Sequence, residues 1–211
     1  MKVLLNHSKA KNLHQKYPDS VGVLFSPERT RYYSDVPFAI DNGAYGAWLK
    51  GQDFNQEKFI NVCQKFAELN PLFVVCPDKV NDRAETLNLW DKWHSFLLDL
   101  KLPAAFVFTN GMTIDDIPDN ADYVFVGGDN QFKEWAITNT AKISKPVHVG
   151  RVNYHSRLWK CHNYGVASCD GTGWFRGDHK QELILMDYLD ISSGKTSKET
   201  SSLFFTGLYC R

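Results

Sequence analysis

Residues 104–129, AAFVFTNGMTIDDIPDNADYVFVGGD, decide the fold. They hold two unbroken apolar runs, Ala104–Phe108 and Tyr123–Val126. The first ends in Thr109-Asn110-Gly111 and the second in Gly127-Gly128-Asp129. A run with no polar alternation suits a strand buried on both faces, as in a parallel sheet. The same pattern recurs on either side of this stretch, at Val3–Leu5, Val21–Phe25, Phe38–Ile40, Leu72–Val75, Val147–Val149 and Val166–Ser168.

Helical spacing fills several of the gaps. Residues 55–69 (NQEKFINVCQKFAEL) set Phe59, Val62, Cys63 and Phe66 on one face, and Pro71 stops the helix. Residues 81–100 do the same with Leu87, Trp90, Phe96 and Leu97, with Asn81 or Asp82 as N-cap. Gln131 to Ile143, Tyr154 to Tyr164 and Gln181 to Leu189 are shorter helical segments. Strands alternating with helices predict right-handed βαβ units. Eight such strands predict a small (β/α)8 TIM-like barrel. At 211 residues, against the usual ~250, some helices must be short or missing. A doubly wound open sheet is the alternative, weakened by the lack of a G-x-G-x-x-G turn after the first strand and of a Walker A loop. Residues 1–190 read as one α/β domain. Within 191–211 the polar SSGKTSKETSS reads as a loop, and LFFTGLY as a segment docking back on the barrel.

Composition narrows the function classes. Formal net charge is zero, with 43% apolar and 23% charged residues. That is not the balance of a protein held to nucleic acid by general phosphate attraction, although a local patch can sit within a neutral total. Lys142, Lys145, Arg151, Arg157, Lys160 and Arg176 form a basic stretch that reads either as a solvated face or as a phosphate-facing patch. The five cysteines are widely spaced without a C-x-x-C pair, which argues for reduced thiols in a cytoplasmic protein. No signal peptide and no run near the ~20 apolar residues of a membrane span is expected. His148, His155 and His162 recur every seven residues without a H-E-x-x-H pattern, so no metal site is predicted, and no cofactor motif is present.

In either parallel architecture, chemistry belongs just past the carboxyl ends of strands. Those positions read Asp41-Asn42-Gly43-Ala44-Tyr45, Cys76-Pro77-Asp78, Thr109-Asn110-Gly111, Gly127-Gly128, Gly150-Arg151 and Cys169-Asp170-Gly171. A single Asp there commonly caps a turn. Asp41, Asp78 and Asp170 together would converge on one cleft, where carboxylates raise one another's pKa and an acid and a base can coexist. Cys169 beside Asp170 is either a nucleophile or, more commonly for such a residue, a buried thiol.

This ordered set of loops resembles the tRNA-guanine transglycosylase superfamily, including its DNA-modifying 7-deazaguanine branch in bacteria and phages. Asp41-Asn42-Gly43-Ala44-Tyr45 is similar to the family's Asp-Ser-Gly-Gly-Phe motif. Asp78 is similar to its purine-reading Asp, Thr109-Asn110-Gly111 to its Val-Gln-Gly turn, and Gly127-Gly128 to its Gly-Gly turn. Residues 164–170 (YGVASCD) resemble the strand end that carries its nucleophile. The likeness runs from Phe38 to Gly173. It implies exchange of guanine for a 7-deazaguanine through displacement at the nucleoside C1′. Asp170 is then the nucleophile and Asp41 the proton carrier. Asp78, Asn110, Gly127, Gly128 and Tyr45 bind the base, and Arg151, Arg157 and Arg176 the phosphates. Trp174 either stacks on the ring or packs within its loop. Members that act on tRNA carry a Cys-rich zinc site that this chain lacks, so the implied partner is DNA rather than tRNA. Water in place of the second base would make the protein a DNA glycosylase. A non-catalytic nucleobase-binding protein, or a barrel enzyme acting on a phosphorylated metabolite, are the readings from other classes.

Overall fold

A computed structural model describes residues 1–176 and 179–195. The segment LFFTGLY, with its expected docking, lies outside the described residues. The eight strands are β1 (Lys2–Leu4), β2 (Val21–Phe25), β3 (Phe38–Ile40), β4 (Val74–Val75), β5 (Ala104–Phe108), β6 (Tyr123–Val126), β7 (Val147–Val149) and β8 (Ser168–Asp170). Each pairs in parallel with the next, and β8 closes on β1 through Val3 opposite Cys169. The chain is thus a (β/α)8 TIM-like barrel.

The unbroken apolar runs have a direct cause. Leu4, Leu24, Ala39, Phe73, Val75, Ala105 and Val107 fill the barrel interior, with Tyr123 and Phe125 against them. The alternate residues, among them Val3, Val23, Ile40, Val74, Phe106 and Val124, pack outward under the helices. Both faces of the strands are covered, so the runs are largely apolar, and the polar exceptions His148 and Ser168 lie inward on β7 and β8.

The helices are α1 (Ala10–Lys16), α2 (Ala44–Trp48), α3 (Gln56–Phe66), α4 (Arg83–Asp99), α5 (Asn130–Thr138), α6 (His155–Asn163) and α7 (His179–Ser192). No helix follows β2, and only a 3-10 turn at Ile114–Asp116 follows β5, which is how the barrel stays small. Three helix starts are capped as short polar side chains allow. Asn55 accepts from the Lys58 N–H at 2.9 Å, Asp82 from Glu85 at 3.0 Å and Asp129 from Phe132 at 2.8 Å. The expected helix at 55–69 ends at Phe66 and tightens into a 3-10 turn, with Asn70 left-handed at φ 51° before Pro71. α7 continues past residue 190, so the body of the barrel runs two residues beyond the expected boundary.

Candidate active site

The carboxyl ends of the strands surround a cavity of about 250 Å³. Asp41, Asp78, Asp170, Tyr45, Gly127, Gly128 and Arg151 line it, together with Lys133 and Trp48.

Asp41 follows β3, and its N–H still donates to Phe25 O at 2.8 Å. It thereby keeps the inward phase set by Ala39. Its Oδ1 accepts the Gly43 N–H at 3.2 Å. Withdrawal from water, reinforced by the charges of Asp170 and Asp78, raises its pKa to about 7. Asn42 beside it ties two loops together. Its Nδ2 donates to Cys76 O at 2.8 Å and to Asp78 Oδ1 at 2.9 Å, while its Oδ1 accepts the Ala44 N–H at 2.7 Å. Burial pushes Asp78 up to about 6 against that bond.

Asp170 is the last residue of β8, inward like Ser168. Its Oδ1 receives two hydrogen bonds, from His148 Nε2 at 3.1 Å and from the Arg151 N–H at 3.1 Å. Its Oδ2 accepts none from the described residues. His148 lies in the middle of β7 with no exposed surface. Its ring stacks on Phe125 with centroids 5.0 Å apart. Its Nδ1 lies 2.8 Å from Ser168 Oγ. The ring is thus held at both nitrogens, Nε2 against Asp170 and Nδ1 against the Ser168 hydroxyl. Gly150 keeps this corner open, since a Cβ there would lie 2.9 Å from the Phe125 ring and 3.5 Å from Asp170 Oδ1.

The Gly127-Gly128 turn forms another wall. Gly128 is left-handed at φ 76°, and a Cβ on it would meet Asn110 Oδ1 at 2.3 Å, so only glycine fits. Arg151 Nη2 donates to Gly128 O at 3.1 Å, and Nη1 to the Tyr45 hydroxyl. Its guanidinium lies over the Tyr45 ring, 4.1 Å from the centroid.

Several sequence expectations are corrected. Asn110 does not reach the cavity. It donates to Asp129 Oδ2 at 2.6 Å and accepts the Asp129 N–H at 2.8 Å, so it pins the Gly-Gly turn rather than contacting a base. Arg157 is buried and outside the cavity lining, with Nε on Glu134 at 2.8 Å and Nη1 on Asn130 at 2.9 Å. Arg176 is exposed and outside the cavity lining. Trp174 is fully buried and cannot stack on a ligand. Cys169 is buried too, and burial holds its thiol well above the ordinary range, which removes it as a nucleophile. The three histidines do not converge. His148 faces the barrel interior, His155 accepts from Trp159 at 2.9 Å, and His162 lies 3.0 Å from the Tyr188 hydroxyl.

Sequence reasoning missed Lys133, on the first turn of α5. It is 1% exposed, lines the cavity, and its amine makes no hydrogen bond or ion pair with the described residues. Its signal was there: Lys133 shares a stripe with Ala136, Ile137 and Thr140, all buried.

No family model matches the chain, and no curated protein matches it. A solved structure of 3-hexulose-6-phosphate synthase has the same fold, with a TM-score of 0.52 and 9% identity over 90% of this chain and 98% of that one. Likeness at that identity speaks for the barrel alone.

Proposed function

We propose that the protein is a base-modifying enzyme that cleaves an N-glycosidic bond in DNA and exchanges guanine for a 7-deazaguanine. The observation that carries this reading is the convergence of carboxylates from β3, β4 and β8 on one cavity, in different states. Asp170 has one oxygen held by two donors and the other without a hydrogen bond from the described residues. Asp41 titrates at about 7. The order of these residues along the chain is that of the transglycosylase motifs they resemble.

In this mechanism Asp170 Oδ2 attacks C1′ as the C1′–N9 bond breaks, which is the capture of an oxocarbenium-like centre by a carboxylate. The departing base takes the Asp41 proton. The incoming base loses its N9 proton to Asp41 and attacks C1′, which releases Asp170. A group with a pKa near the working pH is present in both forms, as this return trip requires. Asp78, held by Asn42, accepts from donors on the purine edge, and Tyr45 supplies a flat apolar face. The target nucleotide must leave the stack to reach this cavity.

Incubation with DNA and labelled 7-deazaguanine tests the reading. Label in the polymer supports exchange. Free guanine with abasic sites and no incorporation shows hydrolysis instead. The absence of both products would refute base chemistry on DNA.

A further inference from the structure

The acidic wall of the cavity faces a second wall of opposite sign. Lys133 lies in the first turn of α5, where side chains tilt toward the helix N-terminus and hence toward the Gly127-Gly128 turn. A cation is poorly placed there. It is buried, it sits at the positive end of a nine-residue helix, and Arg151 and Arg157 add like charge. Asp170 and Asp129 act in the opposite sense from a distance, but neither bonds to it. Asp129 is already engaged by Asn110 and the Phe132 N–H. Glu134, the next acid on the helix, is taken by Arg157 and Lys160. Asp129 and Glu134 are thus occupied, Asp170 makes no bond to Lys133, and the Lys133 amine borders the cavity without a hydrogen-bond or ion-pair partner among the described residues.

We propose that this wall is an oxyanion subsite, in which Lys133 pairs with a carboxylate or phosphate oxygen of the ligand beside Gly128 and Arg151. A ligand would then be oriented by two ends, hydrogen-bond donors toward Asp41 and Asp78 and an anionic group toward Lys133. The proposal rests on the base-exchange reading only where it names the base as carrier of the anion. On that reading, the subsite selects a 7-deazaguanine bearing an acidic 7-substituent, or grips a phosphate of the flipped nucleotide. A 7-aminomethyl cation is rejected.

Calorimetric titration and thermal shift on the whole protein separate these sources. The probes are 7-deazaguanine, its 7-carboxylate and 7-aminomethyl derivatives, and inorganic phosphate. Wild type is compared with Lys133→Met, and with Lys133→Gln should the Met variant fail to fold. A charge-assisted bond is worth about tenfold or more in affinity. The 7-carboxylate should therefore bind wild type roughly tenfold tighter than the unsubstituted base, and that advantage should vanish in the variant. Stabilisation of wild type by phosphate alone, lost in the variant, supports the subsite with phosphate as its ligand. That result without any deazapurine binding would sink the base-exchange reading and leave the subsite standing. No preference for either anion in wild type, or a preference that survives loss of Lys133, overturns the proposal.

Discussion

His148 Nε2 stands 3.1 Å from Asp170 Oδ1, inside the barrel and shielded from water. Ser168 fixes the imidazole from its other nitrogen, and Phe125 fixes its plane. The pair fixes a carboxylate that lines the cavity, with Oδ1 held and Oδ2 without a hydrogen bond from the described residues. In the mechanism proposed, His148 is a positioning residue, because it acts through Asp170.

Replacing His148 with Phe removes this bond but keeps a ring between Phe73 and Phe125. A hydrogen bond to a charged group is worth about 1.5–3 kcal/mol, so kcat should fall roughly ten- to a hundredfold. KM should barely move, since no substrate atom is touched. Steady-state kinetics normalised by active-site titration, with folding checked by circular dichroism, distinguishes this from a structural defect, which would lower the active fraction and leave kcat per active site unchanged.

Asp41 predicts both a pH profile and a stability effect. Its folded pKa of about 7 lies above the ordinary 3.8. The native state therefore binds more protons than the unfolded chain between those values, and stability falls as pH rises through that window. Asp41→Asn should remove this loss and stabilise the protein at pH 8 by up to a few kcal/mol, since one pH unit is worth ~1.4 kcal/mol. It should also abolish the limb near pH 7 in kcat/KM. Denaturant melts and rate profiles across pH 5 to 9, about the range over which such a group titrates, check both.

Lys133 gives the opposite slope. Its pKa is lowered from 10.5 to about 8 by burial and neighbouring arginines. The unfolded chain binds more protons between those values, so stability rises with pH through that interval. Lys133→Met should flatten the rise and raise the melting temperature at pH 7, because it removes a buried ammonium with no ion-pair partner among the described residues.

Gly128→Ala should break the turn that Asn110 pins. At a left-handed φ of 76°, a Cβ would displace Asn110 Oδ1 and with it the two bonds that join Asn110 to Asp129. A loss of about 1–3 kcal/mol is expected, with a matching drop in base affinity, whereas Gly46→Ala on α2, with open space around it, should be tolerated.

The barrel was legible because its strands are buried on both faces, which leaves unbroken apolar runs in the chain. The exception is instructive. The run Val166–Ser168 marks β8 two residues early, since the observed strand is Ser168–Asp170. The barrel interior turns polar at its functional end, so apolarity stops before the strand does. α2 was missed for a different reason. Two glycines in residues 43–46 read as loop, yet Gly43 in a left-handed turn and the Asn42 side chain start a short helix there. Asp41, Asp78 and Asp170 could be found from strand ends alone. Asn110 and Arg157 could not be assigned correctly, because their partners Asp129 and Glu134 are brought to them by the packing of β6 and α5. Lys133 escaped notice because a lysine on an amphipathic helix is ordinarily solvated.

The most direct test is covalent capture of the nucleophile. Single-stranded DNA carrying a 2′-fluoro-arabino guanosine destabilises the oxocarbenium-like centre and slows release of the intermediate. After denaturation, mass spectrometry should find the DNA attached to the peptide that contains Asp170. Asp170→Asn should bind the same DNA without forming the adduct. An adduct on another residue, or undiminished base release by Asp170→Asn, would contradict the assignment of Asp170 as the group that attacks C1′.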